Sequence, residues 1–200
     1  MSQTRVLKDR NIELIDISND NIDVYLNLAR SYEAEFSNLT QKMPNELGVF
    51  EPDTMPVHPY SGYLLYEDKT PIGFGVIELS NQVNDVAEFY IIPSMRKNKL
   101  GCVLASTIFD LHPGKWQVRQ IEGADVAKAF WRRVINQYTQ NDFIEDVVSD
   151  PVWGVVTRQK FISSIKKPSV DGLSENGVFY HSSHQSDVVP GQGSAPGNNK

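Results

Sequence analysis

The sequence predicts one mixed α/β domain, a β-sheet with helices packed on it, followed by a low-complexity tail. Three observations carry this reading. Residues 87–111 read as a strand, a polar loop and a helix joined without slack. From residue 11 to 162, strand-like and helix-like periodicities follow in the order strand, helix, two strands, strand, helix, strand, helix, two strands. A hydrophobic content of 40% over 200 residues is enough for one buried core.

Each element has a local reason. NIELIDI, 11–17, alternates polar and apolar residues as a half-buried strand does. Asn19 and Asp20 suit a helix start. Ile22, Leu26, Ala29 and Phe36 lie close to one helical face, with Tyr25 and Tyr32 beside it, predicting an amphipathic helix to about Phe36. Residues 37–59 have no clean period and carry Pro44, Pro52, Pro56 and Pro59, so a long loop with room for one short helix is expected. Strands at 62–67 and 72–79 flank the turn 68–71 and predict a hairpin, and a second turn at 81–85 leads into the central strand. That strand contains the run Phe89, Tyr90, Ile91, Ile92 and ends at Pro93. Leu100, Leu104, Ile108 and Leu111 recur at helical spacing until His112-Pro113-Gly114 stops them. WQVRQI, 116–121, is a fifth strand, and Ala127, Trp131, Val134 and Tyr138 mark one face of a third helix. Strands at 143–148 and 154–162 close the domain, which is bounded at 1–165. The remainder, 166–200, is rich in Ser, Gly, Asn and Pro and is expected to be disordered. Its one apolar patch, Gly177 to Tyr180, has the alternative reading of a docking peptide.

Composition removes several function classes. A net charge of −6 and a pI near 5.2 imply no general affinity for nucleic acid or an anionic membrane. Cys102 is the only cysteine, which excludes an internal disulfide and a cysteine-rich zinc site, and no metal is expected. No apolar run is long enough to span a bilayer. The expectation is a cytoplasmic protein, monomeric or homodimeric.

The chemistry concentrates at the loop 94–99, where Arg96, Lys97 and Lys99 feed a helix N-terminus with Gly101 at its start. Free backbone N–H groups and the positive end of the helix dipole make such a place suited to phosphate. The order I91-x-P93-x-x-R96-x-x-K99-x-G101 resembles the acetyl-CoA signature of the GNAT superfamily of N-acetyltransferases, with Lys99 standing where its first glycine is expected. The resemblance covers roughly residues 11–162. It implies a central, mostly antiparallel sheet flanked by helices, whose central strand pairs with the pantetheine arm while the loop amides wrap the pyrophosphate. It further implies that Ile91, Ile92, Arg96, Lys97, Asn98, Lys99, Leu100, Gly101 and Cys102 bind acetyl-CoA.

A second stretch, ADVAKAFW at 124–131, resembles the family pattern N-x-x-A-x-x-[F/L]-Y. Ala127 and Phe130 match it, and Ala124 replaces the asparagine. Trp131 replaces the tyrosine that commonly protonates the departing thiolate, which an indole cannot do. The resemblance puts Ala127 and Trp131 at the cofactor, with a plain core role as the alternative for Trp131. Tyr138 shares the Trp131 face and is the nearest other hydroxyl. Asp85 and Glu88 are the candidate bases, and strand alternation puts residues three apart on opposite faces. Gln117 lies where relatives often carry an acidic residue, and glutamine cannot act as a base. Tyr32, Glu33 and Phe36, within an acidic and aromatic segment that also holds Tyr25, Glu35, Glu46 and Glu51, are expected to wall the acceptor site and suit a cationic amine.

The resulting expectation is transfer of acetyl from acetyl-CoA to a primary amine of a small molecule or protein by direct attack. Two readings stand beside it. Lys99, Ala124, Gln117 and Trp131 fit a GNAT fold that has lost chemistry and acts as an acyl-CoA-binding or regulatory module. Cys102, at a helix N-terminus, is a candidate nucleophile.

Overall fold

The computed structural model describes residues 3–7, 10–164 and 179–180, the first and last of these segments as backbone. Strands β1 (Gln3–Leu7), β2 (Arg10–Asp16), β3 (Tyr60–Glu67), β4 (Thr70–Glu78), β5 (Asn84–Ile91), β6 (Gly114–Ile121), β7 (Ile144–Asp150), β8 (Gly154–Ser163) and β9 (Phe179–Tyr180) form one sheet in the order β7-β8-β6-β5-β4-β3-β2-β1-β9. Every neighbouring pair is antiparallel except β5–β6. Helices α1 (Ile22–Thr40), α2 (Leu100–Leu111) and α3 (Asp125–Thr139) cover the two faces. The mixed α/β expectation holds. The tail lies outside the described residues apart from β9, which pairs with β1 through Arg5↔Tyr180 and Val6↔Phe179.

Two apolar layers fix where the helices sit. Tyr25 and Ala29 of α1 pack with Leu64, Phe74, Val76 and Tyr90 on one face. Leu100, Leu104 and Ile108 of α2 and Trp131 and Val134 of α3 pack with Ile77, Ile91, Trp116, Val118 and Phe161 on the other. The β3–β4 hairpin turns at Asp68 and Lys69, both at positive φ, so Thr70 and Pro71 already belong to β4. Helix α1 runs past Phe36 to Thr40 and stops where Gln41 turns left-handed, its N–H returning to Ser37 O at 2.8 Å. The loop that follows contains no helix. No helix among the described residues is long and apolar enough to cross a membrane.

Candidate active site

The sheet opens at its parallel pair. β5 and β6 meet only at Asn84↔Trp116 and Asp85↔Gln117. From Val86 to Ile91, no strand among the described residues pairs with β5 on its β6 side, so its backbone groups there are left for a ligand. The closed end is held by side chains. Arg119 pairs with Asp85 at 2.7 Å and with Asp150, and Gln117 Nε2 donates to Asp85 Oδ2 at 2.8 Å. Burial pushes the Asp85 carboxyl up from its ordinary range, and Arg119 and Gln117 pull it back. This ion-paired carboxylate fastens β5 to β6, so Asp85 is not a free base.

A bulge decides which face each carboxylate occupies. Val76 pairs with Glu88 and Ile77 with Val86, which leaves Ala87 as an extra residue in β5. Val86 therefore packs with the α2–α3 layer and Ala87 with the α1 layer. Asp85 meets Gln117 and Arg119, which alternate with the core residues Trp116 and Val118 of the α2–α3 layer. Asp85 and Glu88 thus share the α1 face, correcting the expectation from alternation that they oppose each other.

Glu88 is 8% exposed and has no cation partner among the described residues. Thr54 Oγ1 donates to its Oε1 at 3.0 Å, and the Tyr32 hydroxyl also hydrogen-bonds it. Burial, reinforced by the nearby Glu33 and Asp53 charges, pushes the Glu88 carboxyl up to about 7 against the pull of those two donors. Burial and the same carboxylates raise the phenols of Tyr25 and Tyr32, so both remain protonated donors at neutral pH. Tyr25 donates to Thr54 O, which holds the loop against α1. A buried, hydrogen-bonded carboxyl that titrates near neutrality can accept a proton from an amine.

The acceptor-side residues divide. Tyr32, which bonds Glu88, stacks on Phe36 at 5.4 Å between ring centroids and tilts against Tyr90 at 5.8 Å, so Phe36 lies one ring beyond Tyr32. Glu33 does not face a substrate. It is buried, accepts from Lys42 Nζ at 2.9 Å and from Asp53 N at 3.2 Å, and so anchors the loop after α1. Lys42 had no role in the sequence reading, and it turns an expected recognition carboxylate into a structural one. Thr54 was missed as a site residue because an aperiodic loop carries no signal of the contacts it makes.

The loop after β5 is a 3-10 turn, Pro93–Met95, followed by Lys97 at φ +66° and Lys99 at φ +63°. Lys99 caps α2, so the amides of Leu100, Gly101 and Cys102 precede the first intrahelical bond, Val103 N to Lys99 O at 3.0 Å. The left-handed geometry explains why the signature has glycine at this position. Lys97 and Lys99 are exposed and form no ion pair among the described residues. Ile91 and Ile92 border the open edge. Arg96 departs from expectation: its Nε donates to Ile91 O at 2.8 Å, and its terminal nitrogens reach Glu35 at 2.7 and 2.8 Å. Its guanidinium lies 5.5 Å from the Tyr90 ring centroid and ties the loop to α1 instead of standing free for phosphate. Leu39, one turn beyond Glu35, has its Cδ2 3.4 Å from where a Cβ on Gly123 would stand, after β6. The end of α1 thus touches both banks just past the opening.

Helix α3 supplies walls and no acid. A Cβ on Gly101 would come within 3.0 Å of the Phe130 ring, so the glycine lets α2 and α3 approach. Trp131 is buried edge-on to Phe89 at 4.8 Å and Phe130 at 5.0 Å, packed as a core residue. Ala127 and Cys102 are half-buried against the same core. Tyr138 bonds Asp110 Oδ1 at 2.8 Å and Ser163 Oγ at 2.9 Å. Asp110 lies nine residues along α2 from Gly101, about 14 Å of helix. Tyr138 is therefore tied to the far end of α2, away from the opening. Among the described residues no group of three or more His, Cys, Asp or Glu is placed to hold a metal. The open β5 edge and the amides at the start of α2 fit the pantetheine arm and pyrophosphate of coenzyme A. In this arrangement the Arg96 side chain is paired with Glu35.

No family model matches the chain, and no curated protein matches it in sequence. Solved structures do match its shape. A PaiA N-acetyltransferase from Thermoplasma acidophilum in complex with coenzyme A is 12% identical at a TM-score of 0.54, covering 76% of this chain and 99% of that one. The ribosomal-protein-S18-alanine N-acetyltransferase from Escherichia coli is 7% identical at 0.52, over 80% and 98%. A ribosomal L7/L12 alpha-N-protein acetyltransferase in complex with coenzyme A is 10% identical at 0.56, over 78% and 96%. With its opened parallel pair and left-handed loop before α2, the chain has the acyl-CoA N-acyltransferase fold of the GNAT proteins.

Proposed function

We propose that this protein is an acetyl-CoA-dependent N-acetyltransferase in which Glu88 is the general base. The observation that carries the reading is a buried carboxyl without a cation partner, held near neutrality beside the unpaired edge of β5. Asp85 is committed to Arg119, so only Glu88 is free to exchange a proton. Acetyl-CoA, when bound, supplies the acyl thioester. The backbone of Val86 to Ile91 lines its arm, and the amides of Leu100 to Cys102, with the Lys97 and Lys99 ammoniums, meet its phosphates. Tyr32 and Phe36 wall the acceptor, a primary amine. The proton lost by nitrogen passes to Glu88 as the amide C–N bond forms and the thioester C–S bond breaks; CoA leaves as its thiolate and takes a proton from solvent, and Glu88 returns its own proton to solvent. Solved neighbours named for spermidine, ribosomal-protein and nourseothricin acetylation support an amine acceptor.

The non-enzymatic reading keeps one specific support: neither Trp131 nor Tyr138 offers a proton at the opening. One experiment separates the two. Calorimetry with CoA and a thiol-release assay with acetyl-CoA and an amine panel are run on the wild type and on Glu88→Gln. The transferase reading expects equal CoA affinity in both and turnover, falling at least 100-fold in the variant. Binding without turnover in the wild type favours the binding module, and no CoA binding removes both.

A further inference from the structure

We propose that the acceptor amine is carried by a polypeptide, within a basic segment that lays apolar side chains on the loop between α1 and β3. The proposal rests on the acetyltransferase reading and names its substrate class. The loop is held firmly. The Lys42 ammonium bonds Glu33, Asp53 and the Glu51 carbonyl, and Tyr25 grips Thr54. Its tip closes on Asn45, whose N–H donates to Val49 O at 2.9 Å and whose Oδ1 accepts from Leu47 N and Val49 N at 3.0 Å. Yet this ordered loop turns Met43, Leu47 and Val57 outward, at 80%, 86% and 64% exposure. Apolar side chains held outward on a fixed backbone are available to a molecule that lies along this loop.

Position and charge narrow the occupant. Thr54 bonds Glu88 directly, so Val57, three residues on, begins within about 10 Å of the loop's contact with the base. The loop carries Glu46, Glu51 and Asp53 against one lysine, and that lysine is already paired with Asp53. The covering molecule is therefore both apolar and cationic. A free polyamine satisfies the carboxylates and leaves Met43 and Leu47 uncovered, whereas a basic peptide with large apolar side chains satisfies both.

The test compares spermidine with a pool of basic decapeptides, each with one reactive amine, α-amino or lysine, and randomised apolar neighbours. A matching pool has serine at the neighbouring positions. Thiol release is measured for the wild type and for the triple variant Met43→Ser, Leu47→Ser, Val57→Ser, alongside CoA affinity and solution mass. The expected result is a kcat/KM for the apolar basic pool at least tenfold above that for spermidine or the serine pool. The triple variant loses that advantage through KM, with CoA affinity and melting temperature unchanged. Three results overturn the proposal: spermidine equalling the peptides, no peptide acetylated by a chain that binds CoA, or a wild-type dimer that the triple variant dissolves. Failure to bind CoA at all strikes the acetyltransferase reading instead.

Discussion

Replacing Glu88 by glutamine separates the cost of a buried base from its use. Glutamine keeps an oxygen to accept from Thr54 and Tyr32 and cannot ionise. In the wild type the folded carboxyl titrates at about 7, against an ordinary 4.5 that serves for the unfolded chain. Between these values the folded state binds the proton more tightly than the unfolded state. Stability contributed by this group is therefore full below about 4.5 and is lost as pH rises through 7. The difference corresponds to about 3 kcal/mol once both states are ionised. Glu88→Gln feels none of it. The two proteins should match in stability near pH 4.5, while above pH 7.5 the variant should be more stable by up to about 3 kcal/mol, or roughly 6–12 °C in melting temperature for a domain of this size. Urea titrations at pH 4.5, 6 and 8 read the difference, and titrating groups distant from Glu88 cancel between the two proteins. Wild-type kcat/KM should rise with pH through about 7 as the base ionises, and the variant should show no such limb. A stability difference that stays constant from pH 4.5 to 8 would refute the assignment of a neutral-range proton to Glu88.

Other perturbations test the site from different sides. Lys99→Gly relieves a left-handed residue and should stabilise the fold by roughly 0.5–1 kcal/mol after the entropy of glycine is subtracted. CoA affinity, followed against salt by calorimetry, should be similar or weaker and less salt-sensitive, and a tenfold gain would mean the lysine obstructs the site. Gly101→Val drives two methyl groups toward the Phe130 ring and should cost roughly 1–3 kcal/mol in urea denaturation, and an unchanged midpoint would mean the helices have room to separate. Tyr138→Phe should lose about 1–2 kcal/mol through its bonds to Asp110 and Ser163 while kcat stays within twofold, and a large fall in kcat would return Tyr138 to the chemistry.

Much of the fold was legible because its signals are local. The alternation in 11–17, the stop at Pro93 and the helical spacing from Leu100 each depend on neighbours in sequence, and each element formed as expected. That the central strand pairs with the pantetheine arm was expected only through motif resemblance, and the opening between β5 and β6 was not foreseen, since the paucity of their pairing is not written in either strand. What failed was set at long range. The extra residue at Ala87 reverses a parity argument that is sound for a regular strand. Arg96 and Glu33 were assigned by residue type, yet Glu35 lies 61 positions from Arg96 and Lys42 nine from Glu33, and the fold pairs both side chains with those partners. Residue type names what a group can bind, and the fold decides which partner reaches it first. β1 escaped notice because five residues ahead of a stronger strand carry little pattern.

The brief meeting of β5 and β6 also divides the sheet without dividing the molecule. On one side β2 to β5 run continuously with α1 on one face, and on the other β6, β8 and β7 carry α3. Within the sheet the two halves share two residue pairs and the contacts of Asp85 with Gln117 and Arg119. Beneath the gap one apolar layer runs from Ile77 and Ile91 through α2 to Trp116, Val118 and Phe161, and α1 from Glu35 to Leu39 touches both sides beyond it. The gap is thus a slot framed by packed core, with Glu88 held on one of its walls.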